Sequence, residues 1–372
     1  MRLKHKVCEI SGPIKSRARF FFCRVRAPRC SLRICGSKSD DKTTLMIRLF
    51  WAIGGGVLLA AVAVYAWFQF SPWPMVLYSR LGAYRQGFAK PHMLERYVPA
   101  GVVEQLNLQY EAGDPDAKLD VFYPATIEET EQLLPTIVWV HGGSWITGSK
   151  DGIANYLKIV AARGFTTVGV NYTLAPEKTY PNPVRQVNEV LAYIGETATR
   201  LHVDSSKLFL AGDSAGSQIA AQLANVISVP SYAREVGIVP SIERSQLRGV
   251  ILHCGVYDAE LTHNFRRRGV LWAYFGTQDF MKDPRIKQFS VVRYITADFP
   301  PIFISSGNDD FLAPQSHLFA EVAAGHGVIV DSLLFPQTYQ PRVPHEFQFD
   351  LDTDEGRLAL ERTVKFMVDR LR

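Results

Sequence analysis

The chain has 372 residues, of which 47% are hydrophobic and 21% charged, a globular composition that argues against disorder. The net charge of +5 is uneven, because residues 1–48 carry 13 Lys/Arg against three acidic residues, which leaves 28 basic and 33 acidic residues in the remainder. Nucleic-acid binding, which requires a basic surface, is therefore excluded for the body of the protein.

The basic tail, residues 1–48, also holds most of the cysteines. Those of the tail are Cys8, Cys23, Cys30 and Cys35. They contain no C-x-x-C pair, so a metal site is not indicated, and the remaining Cys254 lies in an apolar run typical of a buried strand. Met46-Ile47-Arg48 directly precedes the apolar segment and would by itself make a normal short basic flank, so we hypothesise that translation starts at Met46. Mass spectrometry of the native protein should then find no tail peptides, such as those around Arg29.

An uncharged segment of twenty residues, Leu49–Phe68, follows the tail. As a helix it would span about 30 Å, the thickness of a bilayer core. A cleaved signal peptide is the alternative, but the apolar run exceeds the usual length and no small-x-small cleavage site follows it before Pro72. We expect a retained single-pass anchor over residues 49–70. The positive-inside rule then predicts a cytoplasmic tail and an extracytoplasmic body, periplasmic if the cell is bacterial.

Residues 71–102 mix proline, aromatic and basic residues, which indicates a linker that partly folds onto the body, or a possible lid. The body, residues 103–372, begins with two segments of alternating polarity, Val103–Tyr110 and Leu119–Tyr123. Turn residues separate the two segments, so they predict an antiparallel hairpin.

The rest of the body alternates short apolar runs with helix-length segments. The apolar runs are Thr136–Val140, Thr166–Val170, Leu208–Leu210, Gly249–Leu252, Pro301–Ile304 and Val328–Leu334. The helical segments are Gly152–Arg163, Pro183–Thr197, Ser217–Ile227, Ser316–Gly325 and Gly356–Arg370. This pattern predicts an α/β fold with a doubly wound, mostly parallel sheet and helices on both faces. An aromatic-rich insertion at residues 257–298 indicates a small cap, although plain packing explains any single ring equally well.

The segment Gly212-Asp213-Ser214-Ala215-Gly216 matches the G-x-S-x-G motif, and it lies between a predicted strand and a predicted helix. That setting is the one a nucleophile elbow requires. Its glycines are needed because side chains there would clash where strand and helix approach. Ser214 is therefore the candidate nucleophile, and Asp213 is expected to support the neighbouring backbone.

A second motif, His141-Gly142-Gly143-Ser144-Trp145, directly follows the predicted strand that ends at Val140. Its glycines would let backbone N–H groups turn inward and form an oxyanion hole with the amide after the nucleophile. The candidate donors are Gly142, Gly143, Ser144 and Ala215. We expect His141 to orient the loop by hydrogen bonding.

Together with the run Asn171–Glu177 and Tyr180-Pro181, these motifs resemble the hormone-sensitive-lipase-like branch of the α/β-hydrolases, over residues 103–370. The resemblance implies the α/β-hydrolase fold and ester cleavage, as in bacterial esterases and lipases. The family's loop usually reads HGGG, whereas Ser144 replaces its third glycine, as in a related esterase and formamidase group. An amidase or formamidase is thus one alternative, and a catalytically inactive binding protein is another.

A serine nucleophile needs a base, which follows it in the chain of such a fold. His345 follows the last predicted strand through a proline-rich loop, at the carboxyl edge of the sheet where sites of open α/β sheets lie. His326 lies at the opposite end of that strand and His317 inside a helix. We therefore predict that His345 is the base.

Two adjacent carboxylates, Asp309 and Asp310, compete for the role of the acid that orients the base. Both follow a predicted strand, so position alone leaves the choice open. The resemblance favours Asp310, since the family pattern is G-x-x-D with an apolar residue two positions later. Asp309 would then cap the loop.

The predicted chemistry is attack of Ser214 on an ester carbonyl, with His345 as base and Asp310 holding its tautomer. Water then hydrolyses the acyl-enzyme, and this chemistry requires no metal or organic cofactor. The expected partners are a small-molecule ester with an apolar acyl group and, through the anchor, the membrane. The oligomeric state stays open.

Overall fold

The computed structural model describes residues 38–87, 94–261 and 265–372, so the predicted tail up to residue 37 lies outside the described residues. The chain divides into two compact units, Met1–Val62 and Ala63–Arg372. Helix α1 (Lys38–Phe70) has exposed apolar side chains along its length, and its part Asp41–Phe70 is long and apolar enough to cross a bilayer. It ends before Pro72, which cannot continue a helix.

The segment predicted as a linker contains a second helix, α2 (Trp73–Gly87). Pro74 lies in its first turn, where a missing backbone N–H costs no hydrogen bond. Val76 on this helix is completely buried in the hydrophobic core of the body. Helix α2 therefore packs part of this segment against the body.

One eight-stranded sheet forms the centre of the body. Its strands are β1 (Val102–Gln109), β2 (Lys118–Pro124), β3 (Leu134–Val140), β4 (Thr166–Val170), β5 (Val203–Asp213), β6 (Leu247–His253), β7 (Ile302–Ser306) and β8 (Val330–Leu334). They are arranged in the order β1-β2-β4-β3-β5-β6-β7-β8. The β1–β2 and β2–β4 pairs are antiparallel and all others are parallel, which confirms both the predicted hairpin and the mostly parallel sheet.

Helices cover both faces of the sheet, as predicted. They are α3 (Ala154–Ala161), α4 (Asn182–Glu196), α5 (Ala215–Ser228), α6 (Pro230–Val236), α7 (Phe265–Phe275), α8 (Arg285–Phe289), α9 (Ala313–Gly325) and α10 (Asp354–Asp369). Successive residues of β3 alternate between two cores, because strand side chains point to opposite faces. Ile137 and Trp139 pack with α3 and α10, whereas Val138 and Val140 pack with α4, α5 and α9. Both faces are therefore apolar, as in a doubly wound sheet.

The strand order brings the two sequence motifs together. After β3 the chain crosses to β4 on one side and returns to β5 on the other, so the carboxyl ends of β3 and β5 are neighbours. Val140, the last residue of β3, pairs with Gly212 at the start of the elbow. Such a reversal of strand order opens a crevice at the carboxyl edge of the sheet, where ligands bind.

The insertion at residues 257–298 contains α7 and α8. Its aromatic rings pack around Trp145: the ring of Tyr274 stacks on it at 4.8 Å and that of Phe289 meets it edge-on at 5.3 Å. Both rings are buried. For these rings, plain packing is the role that the structure shows.

Candidate active site

The turn after β5 holds Ser214 in a sparsely populated backbone conformation, with φ 50° and ψ −114°. A Cβ on Gly212 would overlap the backbone of Gly216, and a Cβ on Gly216 would overlap the carbonyl oxygen of Val140. Helix α5 begins at Ala215, directly after the serine. The close approach of β3, β5 and α5 therefore requires both glycines, and the turn places Ser214 in the wall of a cavity at a helix N-terminus.

Substitution of the second elbow glycine tests this packing. Gly216→Ala is expected to destabilise the protein by at least about 2 kcal/mol, because its Cβ meets rigid backbone rather than a movable side chain. Gly195→Ala is the matched control, since Gly195 lies within α4 and nothing is within 4 Å of its Cβ position. Thermal melting should show a lower midpoint for the first variant and an unchanged or higher one for the second. Equal midpoints would contradict the packing argument.

Three residues predicted from the sequence lie in one chain of contacts at the carboxyl edge of the sheet. The Nε2 atom of His345 is 3.1 Å from the Oγ atom of Ser214. The Nδ1 atom of His345 is 2.9 Å from the Oδ1 atom of Asp310. These distances allow the imidazole to accept a proton from the serine while the carboxylate holds its Nδ1–H.

The surroundings of the two adjacent aspartates differ. Asp310 is buried, and its carboxylate accepts hydrogen bonds from the Ser306 hydroxyl at 2.9 Å and the Leu312 backbone N–H at 2.8 Å. Asp309 is exposed. The donors around Asp310 fix the orientation of its carboxylate, so Asp310 is the carboxylate that meets His345.

The pKa of His345 reflects three opposing causes. Burial lowers the pKa of the imidazole, whereas the neighbouring Cys254 and the carboxylate of Asp310 raise it, and the net direction is upward from 6.5. Burial raises the pKa of the Cys254 thiol itself. The imidazole is consequently a stronger base than an ordinary histidine.

This upward shift predicts the pH dependence of catalysis. His345 accepts a proton only when neutral, so activity is lost as the pH falls through its pKa. Because that pKa is raised, the acid limb of kcat/KM should have its midpoint above pH 6.5. The measurement is a pH profile of p-nitrophenyl acetate hydrolysis, with Ser214→Ala protein as the blank at every pH. A midpoint below 6.5 would contradict the assigned environment of His345.

Asp213 supports the loop after β3, as expected from the sequence. Its carboxylate accepts from the Trp139 indole N–H at 2.8 Å and from the Gly142 backbone N–H at 2.9 Å. Of the predicted oxyanion donors, Gly142 thus already donates within the protein. The contact joins residues 71 positions apart and ties the elbow to the HGGSW loop.

The next amides of the loop are arranged differently. Gly143 and Ser144 both have positive φ, 110° and 55°, which turns the chain sharply after Gly142. Their N–H groups and that of Ala215 have no acceptor among the described residues. Ser144, Ser214 and Ala215 line the same cavity, so the amides of Ser144 and Ala215 are available to a ligand beside the serine, and Gly143 directly precedes this wall.

His141 belongs to the support of the loop. Its ring is buried, stacks on Tyr172 at 4.4 Å, and donates from Nδ1 to the Gly142 carbonyl at 2.6 Å. Burial lowers the pKa of His141 to about 4, so the ring is neutral at physiological pH. Its hydrogen bond to the loop agrees with the orienting role expected from the sequence.

The cavity beside Ser214 encloses about 60 Å³. Its walls are Ser144, Trp145, Ser214, Ala215, Val256, Val270, Leu271, Phe311 and Leu312. Aliphatic residues of α7 thus contribute to the wall. Phe311 is largely exposed, and its ring lies 4.8 Å from that of His345. Sequence reasoning missed Phe311 because a lone aromatic residue in a loop carries no signal of its own.

Cys254 also lies beside the catalytic candidates, and its side chain is completely buried in contact with His345. Ligand atoms of Cys254, Asp310 and His345 lie within 4.8 Å of one another. Thiolate, carboxylate and imidazole are donors that zinc accepts. A metal ion bound there would occupy the imidazole of His345. That imidazole could then not accept the proton of Ser214, so metal binding and the serine reaction would exclude each other.

The fold and the strand–turn–helix setting of Ser214 define an α/β-hydrolase. The BD-FAE family model matches residues 119–322, more than half of the chain, and the chain belongs to this family. Among curated proteins, an acetyl esterase of Salmonella paratyphi B is 24% identical over 249 residues, 64% of this chain and 73% of that protein.

Solved structures agree on the fold. An inhibited esterase B from Lactobacillus rhamnosis has a TM-score of 0.70 at 20% identity and covers 79% of this chain and 95% of its own. A bacterial heroin esterase has a TM-score of 0.61 at 24% identity, with 79% and 91% covered. The shared fold and the match to the BD-FAE family confirm the α/β-hydrolase esterase branch that the sequence motifs indicate.

Proposed function

We propose that the protein is a carboxylic ester hydrolase that works through a Ser-His-Asp triad and an acyl-enzyme. The observation that carries this proposal is the contact chain from Ser214 through His345 to Asp310, with distances of 3.1 and 2.9 Å. It lies at the carboxyl edge of the sheet beside three amides that lack a protein acceptor. Nucleophile, base, orienting acid and oxyanion donors are thus all within reach of one reacting carbonyl.

In the first half of the reaction, His345 takes the Ser214 proton while Oγ attacks the ester carbonyl carbon. The resulting oxyanion accepts hydrogen bonds from the amides of Gly143, Ser144 and Ala215. Gly142 donates instead to Asp213 and positions the loop. Protonated His345 then gives its proton to the departing alcohol oxygen, which leaves the acyl group on Ser214.

In the second half, His345 takes a proton from water as that water attacks the acyl carbonyl, and the acid leaves with Ser214 restored. Asp310 keeps the imidazole in the tautomer that both halves need. No step calls for a metal or an organic cofactor.

The cavity supports an ester with a short apolar acyl group. Its volume of about 60 Å³ admits a few methylene groups, and Val256, Val270 and Leu271 provide an apolar wall. An acetyl esterase is among the relatives of the chain, which agrees with this size.

A panel of p-nitrophenyl esters from acetyl to dodecanoyl, with the matching acyl anilides, tests the proposal. We expect kcat/KM to be highest for the short esters and far lower for every anilide. Higher activity on formanilide than on any ester would favour the amidase alternative, which the HGG-x-W loop leaves open. Inactivity of folded protein on the whole panel would favour the binding protein.

We further propose that residues 49–70 anchor the enzyme in a membrane, with the basic tail in the cytoplasm and the catalytic domain, residues 103–372, outside it. The apolar exposed helix α1 and the basic residues before it support this orientation. Protease added to intact bacterial cells whose outer membrane has been permeabilised should digest the catalytic domain. If the catalytic domain is digested only after lysis of the inner membrane, it lies in the cytoplasm and the proposed orientation is wrong.

A further inference from the structure

Helix α2 has two unlike faces. Trp73, Val76 and Arg80 lie on the side towards the body. The other side carries three apolar residues, Leu77, Tyr78 and Leu81, which are 42%, 65% and 63% exposed. Positions 77, 78 and 81 fall within about 100° of one another on a helix, so they form a continuous apolar surface. We call Leu77, Tyr78 and Leu81 the outer face of α2.

The inner face fixes the orientation of the helix. Arg80 donates to the backbone carbonyls of Ile146 at 2.8 Å and Ala175 at 3.1 Å, and it forms a bidentate pair with Glu177 at 2.6 and 2.7 Å. Paired, planar contacts of this kind hold an arginine in one geometry. Because Arg80 and the buried Val76 hold one side of α2, the apolar outer face cannot turn inward.

Helix α2 also touches the wall of the substrate cavity. A Cβ on Gly269 of α7 would stand 3.1 Å from the Met75 side chain, so the two helices approach closely at this point. The next two residues of α7, Val270 and Leu271, line the cavity that contains Ser214. Helix α7 thus contacts α2 and contributes to the cavity wall within three consecutive residues.

The position of α2 in the chain identifies what covers its outer face. Only Ser71 and Pro72 separate it from α1, a link that reaches about 10 Å. Each headgroup region of a bilayer is of comparable depth, about 5–8 Å beyond the hydrocarbon core. If α1 crosses the bilayer, α2 must begin at the membrane surface. Apolar and tyrosine side chains are favoured at that depth.

We propose that the outer face of α2 inserts into the headgroup zone of the membrane and that apolar esters pass from the bilayer to the cavity beside Ser214. This inference rests on the proposed anchor and deepens the proposed function, since it names membrane-dissolved esters as the substrate class. The partner is the lipid surface itself. Exposed apolar residues next to a membrane span then need no protein to cover them.

Depth-dependent quenching in reconstituted vesicles tests the insertion. Full-length protein, in which serine replaces Cys8, Cys23, Cys30 and Cys35, receives one new cysteine that is labelled with an environment-sensitive fluorophore. The test variant is Leu77→Cys. The matched control is Leu358→Cys on α10, because Leu358 is exposed to the same degree, 44% against 42%. Ala60→Cys, within α1, reports on the anchor. Phosphatidylcholine vesicles carry nitroxide on the headgroup or deep in the acyl chain.

We expect the label at Leu77→Cys to be quenched by headgroup nitroxide and the label at Leu358→Cys to keep its fluorescence. The proposed anchor makes a separate prediction, which is that nitroxide deep in the acyl chain quenches the label at Ala60→Cys. If only the Ala60→Cys label is quenched, the anchor stands and membrane insertion of α2 is wrong. If none is quenched, both proposals fail.

Activity provides an independent readout of the substrate class. The double variant Leu77→Asp/Leu81→Asp should lose at least about tenfold in hydrolysis of dodecyl acetate dissolved in the vesicles, an ester with a short acyl group and an apolar alcohol, because two apolar contacts with lipid are replaced by charge. Hydrolysis of water-soluble p-nitrophenyl acetate should stay within about twofold. An equal loss on both esters, or no loss on dodecyl acetate, would overturn delivery from the membrane.

Discussion

The substitution Ser214→Ala is expected to lower kcat/KM for p-nitrophenyl acetate by about 10⁴-fold or more, because no other group can form the acyl-enzyme. The elbow should survive the change, since alanine accepts the buried turn with only the hydroxyl removed. Initial rates at matched protein concentration measure the effect.

Ser228→Ala is the control for this loss. Ser228 lies at the far end of the same helix, α5, is also buried, and its hydroxyl has no hydrogen-bond partner among the described residues. We expect its kcat/KM to stay within about twofold of the wild-type value. Similar losses of kcat/KM in the two variants would mean that both substitutions act through the folding of α5. Ser214 would then not be the nucleophile.

The substitution Asp310→Asn should lower kcat by about 10⁴-fold while the fold persists. Asparagine fills the same space, but it cannot hold the Nδ1–H tautomer of His345 or stabilise the imidazolium that forms during attack. Hydrogen bonds from Ser306 and Leu312 keep the Asp310 side chain in place, so the loss should appear in kcat more than in KM.

The adjacent Asp309→Asn supplies the matched control, with the same chemical change one residue away on an exposed side chain. We expect less than about a twofold effect on kcat. Steady-state kinetics of the two variants decide between the carboxylates. A larger loss of kcat in Asp309→Asn than in Asp310→Asn would show that Asp309, and not Asp310, orients His345.

The sheet and the elbow could be predicted because their signals are local. The apolar run Thr166–Val170 is the whole of β4, and residues buried on both faces must be apolar whatever lies around them. The elbow glycines likewise report a close backbone approach that the motif itself implies. Element bounds differ: α5 starts at Ala215 rather than near Ser217, and β5 is longer than the predicted Leu208–Leu210.

Contacts that no motif marks could not be predicted. Arg80 meets Glu177 across 97 positions, and nothing in the proline-containing segment 71–102 indicates that partner. The segment was expected to fold partly onto the body, but neither helix α2 nor the ion pair that ties it to the body has a signal in the sequence. Position alone does not separate Asp309 from Asp310; the resemblance favoured Asp310, and its burial and hydrogen bonds become visible only in the fold.

The same limit applies to the oxyanion loop. Gly142, Gly143 and Ser144 are all consistent with donation when the sequence is considered alone. The Gly142 amide donates to Asp213, which lies 71 residues later and reaches it only because β3 and β5 are neighbours in the sheet. A backbone N–H carries no signature of its acceptor, so this assignment depends on the fold.

The most direct test of the account is the covalent labelling of the native protein by a fluorophosphonate, followed by peptide mass spectrometry. The reagent reacts with a serine only when a base and an oxyanion hole activate it. We predict one phosphonate adduct per chain, on the peptide that contains Ser214, and its loss in Ser214→Ala. Folded protein that remains unlabelled, or an adduct on a different serine, would contradict the proposed triad.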